Sequence, residues 1–274
     1  MSLKEAARQT LALLEAGRYT TASGATVDIV EPQARAVAGT RLYTPQTLAT
    51  WREPAEETGL LGARVDVTDE TTQQACQRLA GERVVALNFA SARNPGGGFL
   101  NGAKAQEEDN CRCSGLYPTL LPQRGYYDAN RATPSLLYTD HAIYSPRVPF
   151  FRVRGRDEPI ADPFLVSVIT APAPNTRPLL AKDPEAGPAI VETFLRRWRI
   201  VLGIAAEQGH AAIVLGAWGC GAFGGDPRVA ATTARRALGD PRFAGRFRRI
   251  VFAIPGRGRQ SARNLEVFRQ TLSA

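Results

Sequence analysis

Six short apolar runs constrain this chain most: Thr26–Val30, Arg64–Val67, Val84–Phe89, Phe164–Thr170, Ala212–Gly216 and Arg249–Ile254. Each is too short for a helix, several are rich in Val and Ile, and Gly, Pro or Asp bounds them, which marks buried strands. Between them the apolar spacing turns helical, over Thr71–Leu79, Ala105–Leu116, Ala189–Glu207, Pro227–Leu238 and Ala262–Leu272. Ser2–Ala16 reads as an opening amphipathic helix. Strands alternating with helices through the second half predict an α/β layered fold with a largely parallel sheet. Pro118–Pro163 breaks the pattern, with Tyr126, Tyr127, Tyr138, Tyr144, Phe150, Phe151, several prolines and no helical periodicity. It reads as a long ordered insertion that partly covers a site and partly packs its aromatics on the body as a peripheral addition.

Composition narrows the class. With 274 residues, 44% hydrophobic and 22% charged, the chain can bury a real core, which excludes a disordered, collagen-like or disulfide-stapled protein. No charge-free stretch is long and unbroken enough for a membrane span. Lys4, Glu5, Arg8 and Glu15 interrupt any signal-peptide core, so a cytoplasmic protein is expected. The net charge is +8, and it is uneven: residues 191–274 carry fourteen arginines against five acids, leaving the first 190 residues near neutrality. That basic third suits an anionic partner such as a nucleotide, a nucleic acid or a phosphate polymer. It equally suits a solvated, arginine-rich surface. Cys76, Cys111, Cys113 and Cys220 form no CxxC pair, and His141 and His210 are the only histidines. Neither a zinc site nor a Ser-His-Asp hydrolase is indicated, and no disulfide, metal or cofactor is expected.

Two glycine loops follow strands. The first runs from Asn88 to Glu108 and contains Gly96-Gly97-Gly98, where the absence of Cβ atoms lets backbone N–H groups approach an oxyanion. It is not a phosphate-binding Walker loop, because Ala103 stands where the lysine is required. The second, Gly216–Gly225, spells G-x-G-x-x-G through Gly219, Gly221 and Gly224. A dinucleotide-binding Rossmann unit is disfavoured, since only about fifty residues follow and the next strand ends in Pro255-Gly256-Arg257 with no acid for a ribose. Each loop sits at a strand's carboxyl end, so together they point to a nucleotide diphosphate gripped from two sides.

Gln106-Glu107-Glu108 opens the helix after the first loop. Acids there complement the helix dipole in many proteins, yet here the chain carries them to whatever the loop holds. Neighbouring helical residues point about 100° apart, so Glu107 and Glu108 are not a facing glycosidase pair. One can act as acid and base in turn while the other positions a sugar.

A glycine triplet, a seven-residue spacer and Gln-Glu-Glu resemble the signature of the bacterial-type poly(ADP-ribose) glycohydrolases, a branch of the macrodomain fold. Asn88-Phe89-Ala90-Ser91, Asn94-Pro95, Asn101-Gly102-Ala103 and Gly216-Ala217-Trp218-Gly219-Cys220-Gly221 with Phe223 also fit that family. The resemblance implies an α/β fold, a three-layer α/β/α macrodomain-like mixed sheet with N-terminal helical additions. Residues 1–274 would form one catalytic domain, with 1–60 as an accessory extension packed on it. It implies hydrolysis of the ribose–ribose O-glycosidic bonds of poly(ADP-ribose), releasing ADP-ribose mainly from the terminal end. By the same likeness Glu108 is the catalytic acid and then base, and Glu107 hydrogen-bonds the ribose at the scissile side. Gly96, Gly97, Gly98, Gly219, Cys220, Gly221 and Ala222 would hold the diphosphate, Phe223 would pack on the terminal ribose, and Asn94 and Gln106 would join the substrate-binding set. The adenine pocket has no motif. The implied partners are poly(ADP-ribose), ADP-ribose and ADP-ribosylated proteins, with no membrane and no direct DNA contact, for a monomer acting in the DNA damage response.

Three other readings remain open at this point. One is a hydrolase of single ADP-ribose groups, another a non-catalytic ADP-ribose reader, the third a nucleic-acid binder built on the basic third.

Overall fold

The computed structural model describes residues 1–53, 64–155 and 158–272. In chain order its first part holds α1 (Leu3–Ala16), β1 (Arg18–Thr20), β2 (Thr26–Asp28), α2 (Val30–Gly39), β3 (Arg41–Tyr43) and α3 (Ala49–Arg52). There follow β4 (Arg64–Thr68), α4 (Thr72–Arg78), β5 (Val84–Phe89), α5 (Gln106–Cys113), α6 (Leu116–Leu120), α7 (Arg124–Ala132) and β6 (Ala142–Phe150). The last part is β7 (Phe164–Ala171), α8 (Thr176–Lys182), α9 (Gly187–Glu207), β8 (Ala212–Leu215), α10 (Pro227–Leu238), β9 (Arg249–Ala253) and α11 (Arg259–Leu272). Local chemistry sets several of these ends. Ser2 caps α1 by accepting the Glu5 N–H, Thr71 and Gln74 form a capping box on α4, and Asp226 with Pro227 starts α10.

The main sheet has the order β3-β6-β7-β5-β8-β9-β4. From β7 to β4 the strands are parallel, while β6 runs antiparallel to both β7 and β3. Both faces are covered, and the strand period of two decides which residue goes where. Val85 and Leu87 of β5 join one apolar layer with α9, α10 and α11, and Val84 and Ala86 join the other with residues of α1, α4, α5 and α7. Ile213 and Val214 of β8 divide in the same way. The result is the expected three-layer α/β/α arrangement around a mixed sheet.

The sequence reading needs correction in three places. Thr26–Val30 is not a buried strand: Thr26–Asp28 pairs with β1 in a separate two-stranded sheet, and Val30 begins α2. Pro118–Pro163 is not a peripheral insertion. It contains α7 and all of β6, a strand flanked by β3 and β7. Pro146 and Pro149 hid that strand, and β6 accommodates the first of them in a bulge between Ser145 and Val148. Third, the helix read over Ala105–Leu116 ends at Cys113, where Gly115 donates its N–H to the Pro149 carbonyl and α6 starts afresh.

Much of the C-terminal arginine excess is structural. Arg196 and Arg197 pair with Asp140, Arg199 and Arg242 with Asp240, and Arg248 and Arg249 with Glu82. Of the 1–60 extension, residues 54–60 lie outside the described residues. The rest supplies β3 to the sheet edge and lays α1 against α5, with Thr10 Oγ1 donating to the Arg112 carbonyl at 2.9 Å. The four cysteines are buried and unbridged. Among the described residues no helix is long and apolar enough to cross a membrane.

Candidate active site

Strand β5 lies between β7, which precedes β8 in the chain, and β8 itself, so the sheet's connections part on either side of it. Crevices form at such points, beyond the carboxyl ends of parallel strands. Here a cleft of about 640 Å³ opens, walled by the loop after β5, the start of α5 and the loop after β8.

The first loop seats the carboxylates. Gly97 has φ +58°, and a Cβ there would stand 2.5 Å from Glu108 Oε1 and 3.1 Å from Glu107 Oε2. Only a glycine lets both acids come this close to the backbone. Gly98 donates its N–H to Glu108 Oε1 at 2.8 Å, and the Gly97 N–H is spent in a turn on the Asn94 carbonyl. Glu108 Oε2 is buried and has no partner among the described residues.

Glu107 is held differently. Its Oε2 accepts the Ser91 N–H at 2.7 Å and its Oε1 accepts Asn88 Nδ2 at 3.1 Å. Asn110 Nδ2 donates to Asn88 Oδ1, and Gln73 Nε2 donates to Asn110 Oδ1 at 2.8 Å, so a buried amide chain fixes which end of Asn88 faces the acid. Burial pushes the Glu107 carboxyl up to about 8, against the opposing pull of the Ser91 and Asn88 hydrogen bonds.

Gln106 is fully engaged with the fold. Its Oε1 accepts the Phe89 N–H at 2.8 Å, and its Nε2 donates to the Leu87 carbonyl and to Thr72 Oγ1. The side chain thus prolongs the strand ladder at the end of β5 and pins the start of α5 there.

The second loop presents free donors. Gly219 and Gly224 take positive φ, and the turn closes through Gly225 N–H to the Gly219 carbonyl at 2.9 Å. The N–H groups of Gly219, Gly221, Ala222 and Phe223 meet no acceptor among the described residues. Such a run of unpaired N–H groups just ahead of a helix is an anion cradle. The first loop thus positions carboxylates and the second offers donors.

Asn94, Gly97, Gly98, Gln106, Glu107, Glu108, Gly219, Gly221, Ala222 and Phe223 all line the cleft. Gly96 and Cys220 do not. A Cβ on Gly96 would meet the Tyr117 ring at 2.8 Å, and Cys220 is buried with its thiol donating to the Trp218 carbonyl. Sequence reasoning gave no role to Tyr138, which lines the cleft beside Phe223 with ring centroids 6.1 Å apart. Its one signal, a positive φ on a non-glycine residue, is invisible in a sequence.

Comparison with known proteins bears on this cleft. Residues 7–153 match the family model described as microbial-type PARG, catalytic domain. The chain belongs to the microbial-type poly(ADP-ribose) glycohydrolase family. It is 42% identical to the poly(ADP-ribose) glycohydrolase of Thermomonospora curvata solved with the inhibitor ADP-HPD, over 98% of both chains, with a TM-score of 0.89. It is 44% identical to the Deinococcus radiodurans poly(ADP-ribose) glycohydrolase solved with ADP-ribose, over 88% of this chain and 96% of that one, with a TM-score of 0.80. No curated protein matches. The Thermomonospora curvata enzyme thus matches this chain nearly end to end, and the macrodomain-like sheet is shared with the family's solved enzymes. As a poly(ADP-ribose) glycohydrolase the chain is an enzyme, which removes the non-catalytic reader from the alternatives.

Proposed function

We propose that the cleft hydrolyses the ribose–ribose O-glycosidic bond of poly(ADP-ribose), releasing ADP-ribose mainly from the terminal end, with Glu108 as acid and then base. The observation that carries this is Glu108 Oε2, a buried carboxyl oxygen without a protein partner in the cleft that also holds the free N–H groups of the second loop. The relatives crystallised with ADP-ribose and ADP-HPD support the ligand class.

In this reading the second loop takes the diphosphate on Gly219, Gly221 and Ala222, and Phe223 packs against the terminal ribose. Asn94, Gly97, Gly98 and Gln106 contribute surface to the cleft, while Gly96 and Cys220 support the loops from behind. Glu108 Oε2 gives its proton to the departing ribose oxygen as the C–O bond breaks, leaving an oxocarbenium-like sugar that the adjacent diphosphate stabilises. Water then attacks that carbon and returns a proton to Glu108. Glu107, anchored by Ser91 and Asn88, orients the ribose. Only water is consumed.

The same reading makes the whole chain one catalytic domain, with α1 bracing α5 from behind. It makes the protein a cytoplasmic monomer that meets its polymer on ADP-ribosylated proteins. The unbridged cysteines fit a reducing compartment. Incubation with purified poly(ADP-ribose) and, in parallel, with a mono-ADP-ribosylated protein tests the substrate. Free ADP-ribose from the polymer is the expected result. Release from the mono-modified protein alone would move the reading to single ADP-ribosyl linkages.

A further inference from the structure

Tyr138 adopts φ +62°, the left-handed region, and Arg147, in the exposed bulge of β6, is the other non-glycine residue to do so among the described residues. For a bulky side chain this is strained backbone, and such strain persists only where the surroundings over-determine it. They do so here. The Tyr138 N–H donates to the Ser135 carbonyl at 3.1 Å, and Asn175 N–H holds the Leu136 carbonyl at 2.9 Å. On the other side the buried Asn130 Oδ1 accepts the Thr139 N–H at 2.8 Å.

A glycine would take this conformation freely and an asparagine with little cost. The strain therefore serves the tyrosine side chain, and packing alone does not account for it, because that side chain is only half-buried and faces the cleft. Its ring is tilted 45° to Phe223 across the mouth of the second loop. Asn175 Nδ2 donates to the Tyr138 hydroxyl at 3.4 Å, while the hydroxyl's own proton meets no acceptor among the described residues. Arg177 N–H holds the Phe223 carbonyl at 2.9 Å, so α8 ties down the opposite wall.

We propose that Tyr138 is a further substrate-contact residue: with Phe223 it forms a two-walled aromatic subsite for a sugar face, and its phenol donates a hydrogen bond to an oxygen of the bound ADP-ribose unit. This rests on the reading of the cleft as an ADP-ribose site.

Tyr138→Gly separates the two roles a strained residue can have. It relieves the backbone and deletes the ring, so the expected result is a raised Tm together with a weaker Kd for ADP-ribose and a kcat/KM on poly(ADP-ribose) lowered about tenfold or more. Tyr138→Phe keeps the ring and loses the donor, and is expected to weaken ADP-ribose binding about three- to tenfold at unchanged Tm. Tyr138→Asn, which tolerates the left-handed region, repeats the first test should the glycine variant fail to fold. A glycine or asparagine variant with the wild-type Kd and kcat/KM would overturn the proposal. Wild-type protein that neither binds ADP-ribose nor releases it would instead remove the reading of the cleft itself.

Discussion

Gly98 gives its backbone N–H to one oxygen of Glu108 at 2.8 Å and leaves the other oxygen, buried, without a partner. One hydrogen bond thus fixes the carboxyl's orientation, and the second oxygen stays available for a proton. The glycine triplet supplies this pairing as much as any ligand contact, because its neighbour Gly97 has no Cβ in the space the two acids fill.

Gly97→Ala should therefore damage activity more than stability. The added Cβ meets Glu108 Oε1, the far end of a flexible side chain that can swing away and lose its Gly98 bond. The left-handed backbone adds about 1–2 kcal/mol of strain. A kcat/KM lowered on the order of a hundredfold, the scale of a misplaced catalytic group, with a Tm decrease of a few degrees is expected. Steady-state release of ADP-ribose and thermal melting check the pair.

Glu107 predicts a pH dependence of stability. Its folded carboxyl is raised by burial from 4.5 to about 8, so the folded state binds that proton more tightly than the unfolded chain. The contribution is fully present below 4.5 and is lost as pH rises through about 8. Glu107→Gln has no such proton to lose. Urea unfolding at pH 5 and pH 8.5 should show the variant gaining on wild type at the higher pH. A constant difference between the two would contradict this account of Glu107.

Gln106 is predicted to act through position rather than contact. Gln106→Leu leaves the Phe89 N–H and the Leu87 carbonyl without their partner. Each buried group left unmade costs about 1–3 kcal/mol. Denaturant unfolding should register that loss, and kcat should fall with it because the start of α5 is no longer pinned to β5.

Asp140 is a second place where one substitution should be costly. Burial alone would raise its carboxyl, yet Arg196, Arg197 and Arg52 hold it down to about 2. Asp140→Asn leaves the buried Arg197 without its counter-charge, a loss of about 3–5 kcal/mol. In wild type that stability is present above the usual aspartate range and is lost as pH falls through about 2. Unfolding free energies of the two proteins at pH 7 measure it.

What the sequence made legible was what local patterning determines. β5 and α10 have the bounds their apolar spacing implied, and the Gly-rich loops sit at the strand ends where turn residues required them. What it hid depends on long-range pairing. β6 carries Pro146, Pro149 and a left-handed Arg147, and its ladders with β7 and β3 make a strand of it. The family resemblance put Gln106 in the substrate-binding set, and only the folded geometry shows that its amide satisfies the backbone of β5 while the residue lines the cleft. Both loops looked like diphosphate cradles. Which N–H groups are spent on Asn94 and Glu108, and which stay free, follows only from the folded geometry.

In this mechanism Glu108 moves the proton. Glu108→Gln keeps an oxygen for the Gly98 N–H and removes only the titrating group, so the cleft should keep its shape. The decisive measurement is release of ADP-ribose from poly(ADP-ribose) by this variant and by wild type, beside calorimetric binding of ADP-ribose to both. The account predicts unchanged binding and a kcat lowered at least ~10²-fold, the scale for loss of a general acid. Turnover near that of wild type would contradict it.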